Sequence, residues 1–215
     1  MGEQDAGTPA RLRAVICDLG GVVIRIDPDR IRRHWARRSP LPQAEVHAAF
    51  PDDAYRAFER DELTEAEYLG HVRLQLELDG TDEQLADDFS GIFLGVDPGT
   101  VQVLHDLRDR GWQVIGLSNT NRIHERVWSR RFASELAVFH AIHCSHELKA
   151  RKPDPEAFTL VLEHHDLDPA ETLFVDDLAV NVEAARHLGL HGIVFTTAEE
   201  LRRQLQHLDG GSSRD

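Results

Sequence analysis

"AVICDLGGVVI", residues 14 to 24, is an apolar run broken by one acid, Asp18. Ala14 to Cys17 are apolar at successive positions, the pattern of a strand buried on both faces. With Arg13 in front, "RAVIC" (13–17) reads as the first strand, and Asp18 stands where it ends. Two residues later, where a second acid would be expected, Gly20 offers no side chain. The fold turns on whether more strands of this kind follow, and the chemistry on what stands at their ends.

More strands do follow. "QVIGL" (113–117), "FHAIH" (139–143), "TLFV" (172–175) and "GIVF" (192–195) have the same buried character. Helical patterns separate them. Val101, Leu104 and Leu107 share one face, with Gly111 as a stop. Asp154-Pro155 reads as an N-cap and first-turn pair, and Val180, Ala184 and Leu188 share a face that ends at Gly189. Strand and helix in alternation imply an α/β fold: a Rossmann-like parallel sheet with helices on both faces. Residues 11–27 and 97–208 would form this core. Residues 28–96 carry no convincing strand. Breaks or caps at Asp27-Pro28, Pro42, Thr64 and Thr81 divide them into helices, of which "TEAEYLGHVRLQLEL" is the clearest amphipathic stretch. This block is expected to be an inserted helical cap over the sheet. Residues 1–10 and 209–215 look flexible by composition.

The bulk properties narrow the function. The chain has 215 residues, 41% of them hydrophobic, enough for a substantial core. Its net charge is −14 and no Lys/Arg run could track a phosphate backbone, which argues against nucleic acid as partner. No segment approaches the roughly 18 apolar residues of a membrane helix. "MGEQDAGTPARLR" lacks the apolar stretch of a secretory signal. The two cysteines make no disulfide framework, and Cys17 reads as a small buried hydrophobe. A cytoplasmic protein with no nucleic-acid or membrane partner is the expectation. Nothing here fixes the oligomeric state.

Open parallel sheets bind ligands beyond the carboxyl ends of their strands. Those ends carry Asp18, Ser118-Asn119-Thr120 and Asp176-Asp177, and the segment after the third strand holds Lys152 in "KARKPDP". Singly, each has a structural reading. An acid after a strand forms a turn, Ser118 and Asn119 can start a helix, and a lysine before proline is usually solvated. Together they occupy one kind of topological position and make one chemistry. Carboxylates from separate strands hold Mg²⁺ along with waters and a phosphate. A hydroxyl, helix-start amides and a lysine suit phosphate oxygens. An aspartate beside the metal can attack phosphorus.

These residues resemble the four motifs of the haloacid dehalogenase superfamily: "VICDLGGVV", "GLSNT", "RKPDPEAF" and "LFVDDLAVN", in the family's order, with a helical block between the first two. "DLGGVVIRID" and "LSNTNRIH" are similar to bacterial phosphatases acting on α-D-glucose 1-phosphate. "FERDELTEAEY" is similar to a cap segment of that group, with Asp61 where the group has glycine. The resemblance implies that Asp18 is the nucleophile, that Ser118 and Asn119 bind the phosphoryl group, and that Lys152 neutralises it and steadies Asp18. It implies a Mg²⁺ site made of Asp18, the Gly20 carbonyl and Asp177, with Asp176 a ligand or a support for one, and Asn181 orienting the ligands. Most phosphatases of the superfamily place an acid at the position of Gly20. The implied function is Mg²⁺-dependent hydrolysis of small phosphate esters, sugar phosphates first, through an aspartyl-phosphate on Asp18. The alternatives are a 2-haloacid dehalogenase, against which the Asp176-Asp177 pair counts, and a non-catalytic binding protein of the same fold.

Other features are weighed and set aside. "HAIHCSHE" (140–147) holds His140, His143, His146 and Cys144. Zinc is disfavoured, because alternate strand residues face opposite ways and no matching ligand pair is evident elsewhere. Arg122 and His124 could face the cleft or the solvent. Trp35, Phe50 and Tyr55 read as core of the inserted block. No P-loop or G-x-G-x-x-G signature supports nucleotide binding.

Overall fold

The apolar runs at 14–17, 114–118 and 172–176 fold as strands that are covered on both sides. The computed structural model describes residues 12–210. Its strands are β1 (Ala14–Cys17), β2 (Ile24–Ile26), β3 (Phe93–Val96), β4 (Gln113–Ser118), β5 (Ala141–Cys144), β6 (Thr172–Asp176) and β7 (His191–Val194). Five of them form one parallel sheet in the order β5-β4-β1-β6-β7. The chain builds outward from β1 in one direction, then returns to its other side. β1 therefore lies at the point where the strand order reverses, the place where such sheets open a crevice.

Side chains alternate across the sheet. Val15, Cys17, Val114, Leu173 and Val175 join one hydrophobic cluster, and Ile16, Ile115, Leu117 and Phe174 join the other. Each fully buried side chain of this size contributes about 1.5–3 kcal/mol. Cys17 is wholly buried, as its place in the run implied.

The insertion holds α1 (Asp29–Arg38), α2 (Gln43–Ala48), α3 (Asp53–Phe58), α4 (Glu65–Leu76) and α5 (Asp82–Ser90). Thr64 and Thr81 each close a reciprocal capping box, with Glu67 and Gln84. Trp35 stacks on Phe89 and Phe58 on Tyr68, so the block has an aromatic core of its own. The remaining helices are α6 (Pro98–Asp109), α7 (Arg122–Arg131), α8 (Ala133–Leu136), α9 (Ser145–Leu148), α10 (Pro155–His164), α11 (Ala179–His187) and α12 (Ala198–Gly210). None of the described helices is long and apolar enough to cross a membrane.

Four details differ from the sequence reading. Residues 93–96, inside the block expected to lack strands, form β3, which pairs antiparallel with β2. "FLGV" is too short to show a period, and its three-residue partner is shorter still. The chain thus enters and leaves the insertion through one two-stranded ribbon, closed by Asp27 N–H on Ile92 O and Asp97 N–H on Val23 O. The strand expected at 139–143 lies at 141–144. On α11 Ala184 and Leu188 pack against the core as expected but are only partly buried, Val180 is exposed, and the fully buried residues are Val182, Ala185 and the polar Asn181, which faces the site. Asp154 does precede Pro155 at the start of α10, but its side chain caps nothing. The expectation for residues 1–10 and 211–215 falls outside the described residues, and α12 runs on through 209–210.

Candidate active site

Sequence places Asp18, Ser118 and Asp176 at the carboxyl ends of β1, β4 and β6, and the parallel register brings those ends level. Cys17 pairs with Gly116 and Val175, and the Asp18 N–H bonds Val175 O at 2.9 Å. Lys152 arrives from the segment before α10. Its Nζ donates to Asp18 Oδ1 at 2.8 Å and to Asp176 Oδ2 at 2.7 Å. Lys152 is 1% exposed and Asp176 0%, so the three groups form a buried ionic triad.

The two adjacent aspartates are used differently. Asp176 is saturated. Besides Lys152 it accepts from Asn181 Nδ2 on both oxygens, 3.0 Å each, and from Leu178 N at 2.9 Å. Asn181 therefore holds Asp176, and Asp176 holds Lys152. Asp177 is exposed, and its carboxylate lies over Gly21. Gly21 has φ +85°, which a side chain would strain, and a Cβ there would push the Asp177 carboxylate out of its place. Gly20 is less constrained: a Cβ there would meet only Ile26 Cδ1, at 3.4 Å.

Asp18, Asp176 and Asp177 each offer a carboxylate oxygen, all within 4.8 Å of one another. Burial lifts the Asp18 carboxyl to about 7; Lys152 opposes the rise and Asp176 adds to it. Burial, then Asp176, also raises Asp177. For Lys152, burial works to lower the ammonium pKa, but Asp18 and Asp176 outweigh it and the net shift is upward. Three carboxylates face one ammonium. The donor set therefore fits a hard dication, which takes oxygen ligands and would favour the ionised Asp18.

The Asn119 side chain makes two bonds to the Lys152 main chain. Its Nδ2 donates to Lys152 O and its Oδ1 accepts from Lys152 N, both at 2.8 Å. The amide thus clamps the lysine's main chain. Ser118, Asn119, Gly20, Tyr55, Ile26 and Trp128 are among the residues lining a cavity of about 70 Å³ beside this edge.

Sequence reasoning missed the groups that join the insertion to this edge. Glu59, 2% exposed, accepts from Arg151 Nε at 3.0 Å, and the Tyr55 hydroxyl also bonds it. Burial raises the Glu59 pKa against the pull of Arg151. A buried acid directly before a turn, next to an arginine adjoining Lys152, carries no periodic signal. Asp61 has φ +61°, a conformation that favours glycine, and its carboxylate takes both Arg122 Nε (2.9 Å) and Nη2 (3.0 Å). Arg126 pairs with Glu65 in the same way. His124 faces inward. It stacks on Phe89 with centroids 4.1 Å apart, and its Nε2 donates to Phe89 O at 3.1 Å.

Comparison with known proteins gives the family. The haloacid dehalogenase-like hydrolases match residues 12–189, and the chain belongs to that family of hydrolases. It is 28% identical over 92% of its length to acyl-CoA dehydrogenase family member 10 of Mus musculus, but spans only 19% of that protein. It is 25% identical to a D-ribitol-5-phosphate phosphatase of Bacteroides thetaiotaomicron, covering 90% of this chain and 97% of that one. A haloacid dehalogenase family enzyme of Bacteroides thetaiotaomicron, an aspartate-to-alanine variant solved with magnesium and inorganic phosphate, superposes with a TM-score of 0.80 at 25% identity. That match covers 90% of this chain and 98% of the other.

Proposed function

We propose that the protein is a Mg²⁺-dependent phosphatase of small phosphate esters, with sugar phosphates as first choice. One observation carries the reading: Lys152 bridges Asp18 to a saturated Asp176, while Asp177 stays unclaimed beside them. A dehalogenase acting on carbon has no use for that third carboxylate. The phosphatase relative and the magnesium–phosphate complex of a similar enzyme support the same reading.

Asp18, the Gly20 carbonyl and Asp177 would hold the ion, whose chemistry is to offset charge on the phosphoryl oxygens. An Asp18 oxygen attacks phosphorus as the ester oxygen departs, leaving an aspartyl-phosphate that water then hydrolyses. Lys152 neutralises the phosphoryl group and keeps Asp18 aimed, while Ser118 and the backbone at Asn119 receive its oxygens. The insertion acts as a cap that closes over the ester and excludes bulk water. Gly20 supplies no proton to the departing oxygen. Esters with acidic leaving groups are therefore favoured, and a hexose 1-phosphate, whose anomeric oxygen is the better leaving group, outruns the 6-phosphate. We place the enzyme in the cytoplasm, acting on dissolved esters.

The test is release of inorganic phosphate from a panel of sugar and aryl phosphates, with Mg²⁺ and with EDTA. Turnover that needs Mg²⁺ and prefers 1-phosphates is expected. Metal-independent release of chloride from 2-chloropropionate, without phosphatase activity, overturns it.

A further inference from the structure

We propose that His143, His164 and His165 form a second metal site, for a first-row transition-metal dication such as Zn²⁺, separate from the carboxylate site. His143 lies on β5 opposite Leu117, on the sheet face covered by α10. His164 is the last residue of α10 and His165 follows it. The pair that the strand histidines lacked in sequence is supplied by a helix end. Ring centroids lie 5.2 Å apart for His143 and His164, 5.1 Å for His143 and His165, and 4.8 Å for His164 and His165. The three form a nearly equilateral triangle.

The nitrogens are close to ligating distances. His143 Nε2 and His165 Nε2 are 2.8 Å apart. Zn–N bonds of about 2.0–2.1 Å set neighbouring nitrogens about 3.0–3.4 Å apart, so a small opening of this pair admits the ion. All three rings offer a nitrogen within 4.8 Å of the others, and exposed His164 can turn to complete the set with water in the fourth position. Burial pushes His143 down to about 4, with His165 and His164 adding to the fall. Burial also lowers His165, helped by His164 and His140. Both rings are thus neutral near pH 7, the form that ligates; as the ion enters, the hydrogen their facing nitrogens share would move to the donor ring's Nδ1, freeing both Nε2 lone pairs. No carboxylate belongs to the cluster, so it suits borderline metals and not Mg²⁺. Occupied, it would tie the edge strand β5 to α10.

The experiment uses the untagged full chain, with Mg²⁺ in excess to hold the carboxylate site. Zn²⁺ is titrated calorimetrically, and Cu²⁺ is added as a paramagnetic probe. Saturable binding of one ion per chain is expected, with nitrogen couplings in the Cu²⁺ spectrum. His164→Ala and His165→Gln should each weaken binding at least roughly tenfold. Because both positions lie at a helix end, unchanged circular dichroism separates ligand loss from misfolding, and Mg²⁺-supported phosphatase turnover should stay as in the parent. No saturable binding overturns the proposal. So does binding that survives both substitutions, which would place the ion elsewhere, for example at Glu125, Cys144 and His146.

Discussion

The sheet's carboxyl edge and the seam between sheet and insertion both rely on ion pairs, but of opposite kinds. At the edge, Lys152 and Asp176 have side chains 1% and 0% exposed. At the seam, Arg122 and Asp61 are 56% and 23% exposed, and Arg126 and Glu65 are 48% and 34%. A buried pair is costly to break, because the remaining partner stays desolvated. An exposed pair is worth little and is readily exchanged for water. The edge is therefore built to hold one geometry, while the exposed pairs add little to hold the seam, whose buried contact is His124 on Phe89. Glu59 and Arg151 lie between the two extremes, with side chains 3% and 20% exposed.

The largest effect should come from the edge's reactive group. Asp18→Asn removes the attacking charge at nearly constant volume. Turnover should fall on the order of 10³-fold or more, with the unfolding midpoint little changed. A fall of only a few-fold would sink the nucleophile assignment.

Next is the asymmetry between neighbours. Asp176→Ala leaves the buried Lys152 amine with Asp18 alone and takes the acceptor from Asn181 Nδ2 and Leu178 N, and should cost about 3–5 kcal/mol in urea unfolding. Asp177→Ala should leave stability nearly intact while raising the Mg²⁺ needed for half-maximal rate by roughly tenfold or more. Equal stability losses in the two variants would contradict the division of labour between them.

His124 tests the seam by acid. Burial lowers its pKa from 6.5 to about 4. Its Nε2 gives its hydrogen to Phe89 O, and Nδ1 faces the Asn121 amide at 3.3 Å, a donor that a second ring hydrogen would oppose. A lowered histidine pKa means the folded state prefers the neutral ring. That stabilisation is complete above the unfolded value and is lost as pH falls from about 6.5 through about 4. It amounts to on the order of 3 kcal/mol. His124→Gln should flatten this limb of the stability–pH curve, measured by thermal unfolding; an unchanged slope would show that other groups carry it.

The smallest effect belongs to the exposed pair. Asp61→Gly removes the bond to Arg122 but suits the positive φ, so stability should move by less than about 1 kcal/mol. If the seam selects substrate, kcat/KM for sugar phosphates should change more than for p-nitrophenyl phosphate. A uniform change would make the seam purely structural.

The fold was legible because its central strands are covered on both faces: short continuous apolar runs such as "AVIC" and "TLFV", separated by helical patterns, suit strands buried between two helix layers. Asp18, Ser118, Lys152 and Asp177 were legible because topology alone puts strand ends at one edge. What escaped had no period or spacing to read. β3 is a four-residue strand whose partner lies across the insertion. The separation of Asp176 from Asp177 depends on Asn181 turning inward. Gly21 matters through Asp177, far along the chain, and Glu59 through Arg151. The His143 cluster was discounted because a strand shows only its own alternation, not what the end of α10 brings to it.

The Lys152–Asp18 bridge has a consequence for how the chain acquires activity. Its two ends are 134 residues apart in sequence, and Lys152 meets Asp176 only 24 residues further on. Closing such a loop costs chain entropy before any contact rewards it, so contacts of this span form late. During synthesis from the N-terminus, Asp18 emerges early and waits, hydrated and idle, until β6 has been made. During refolding, helical signal should return first and turnover last, so the rate at which phosphate release recovers times the final closure of the sheet.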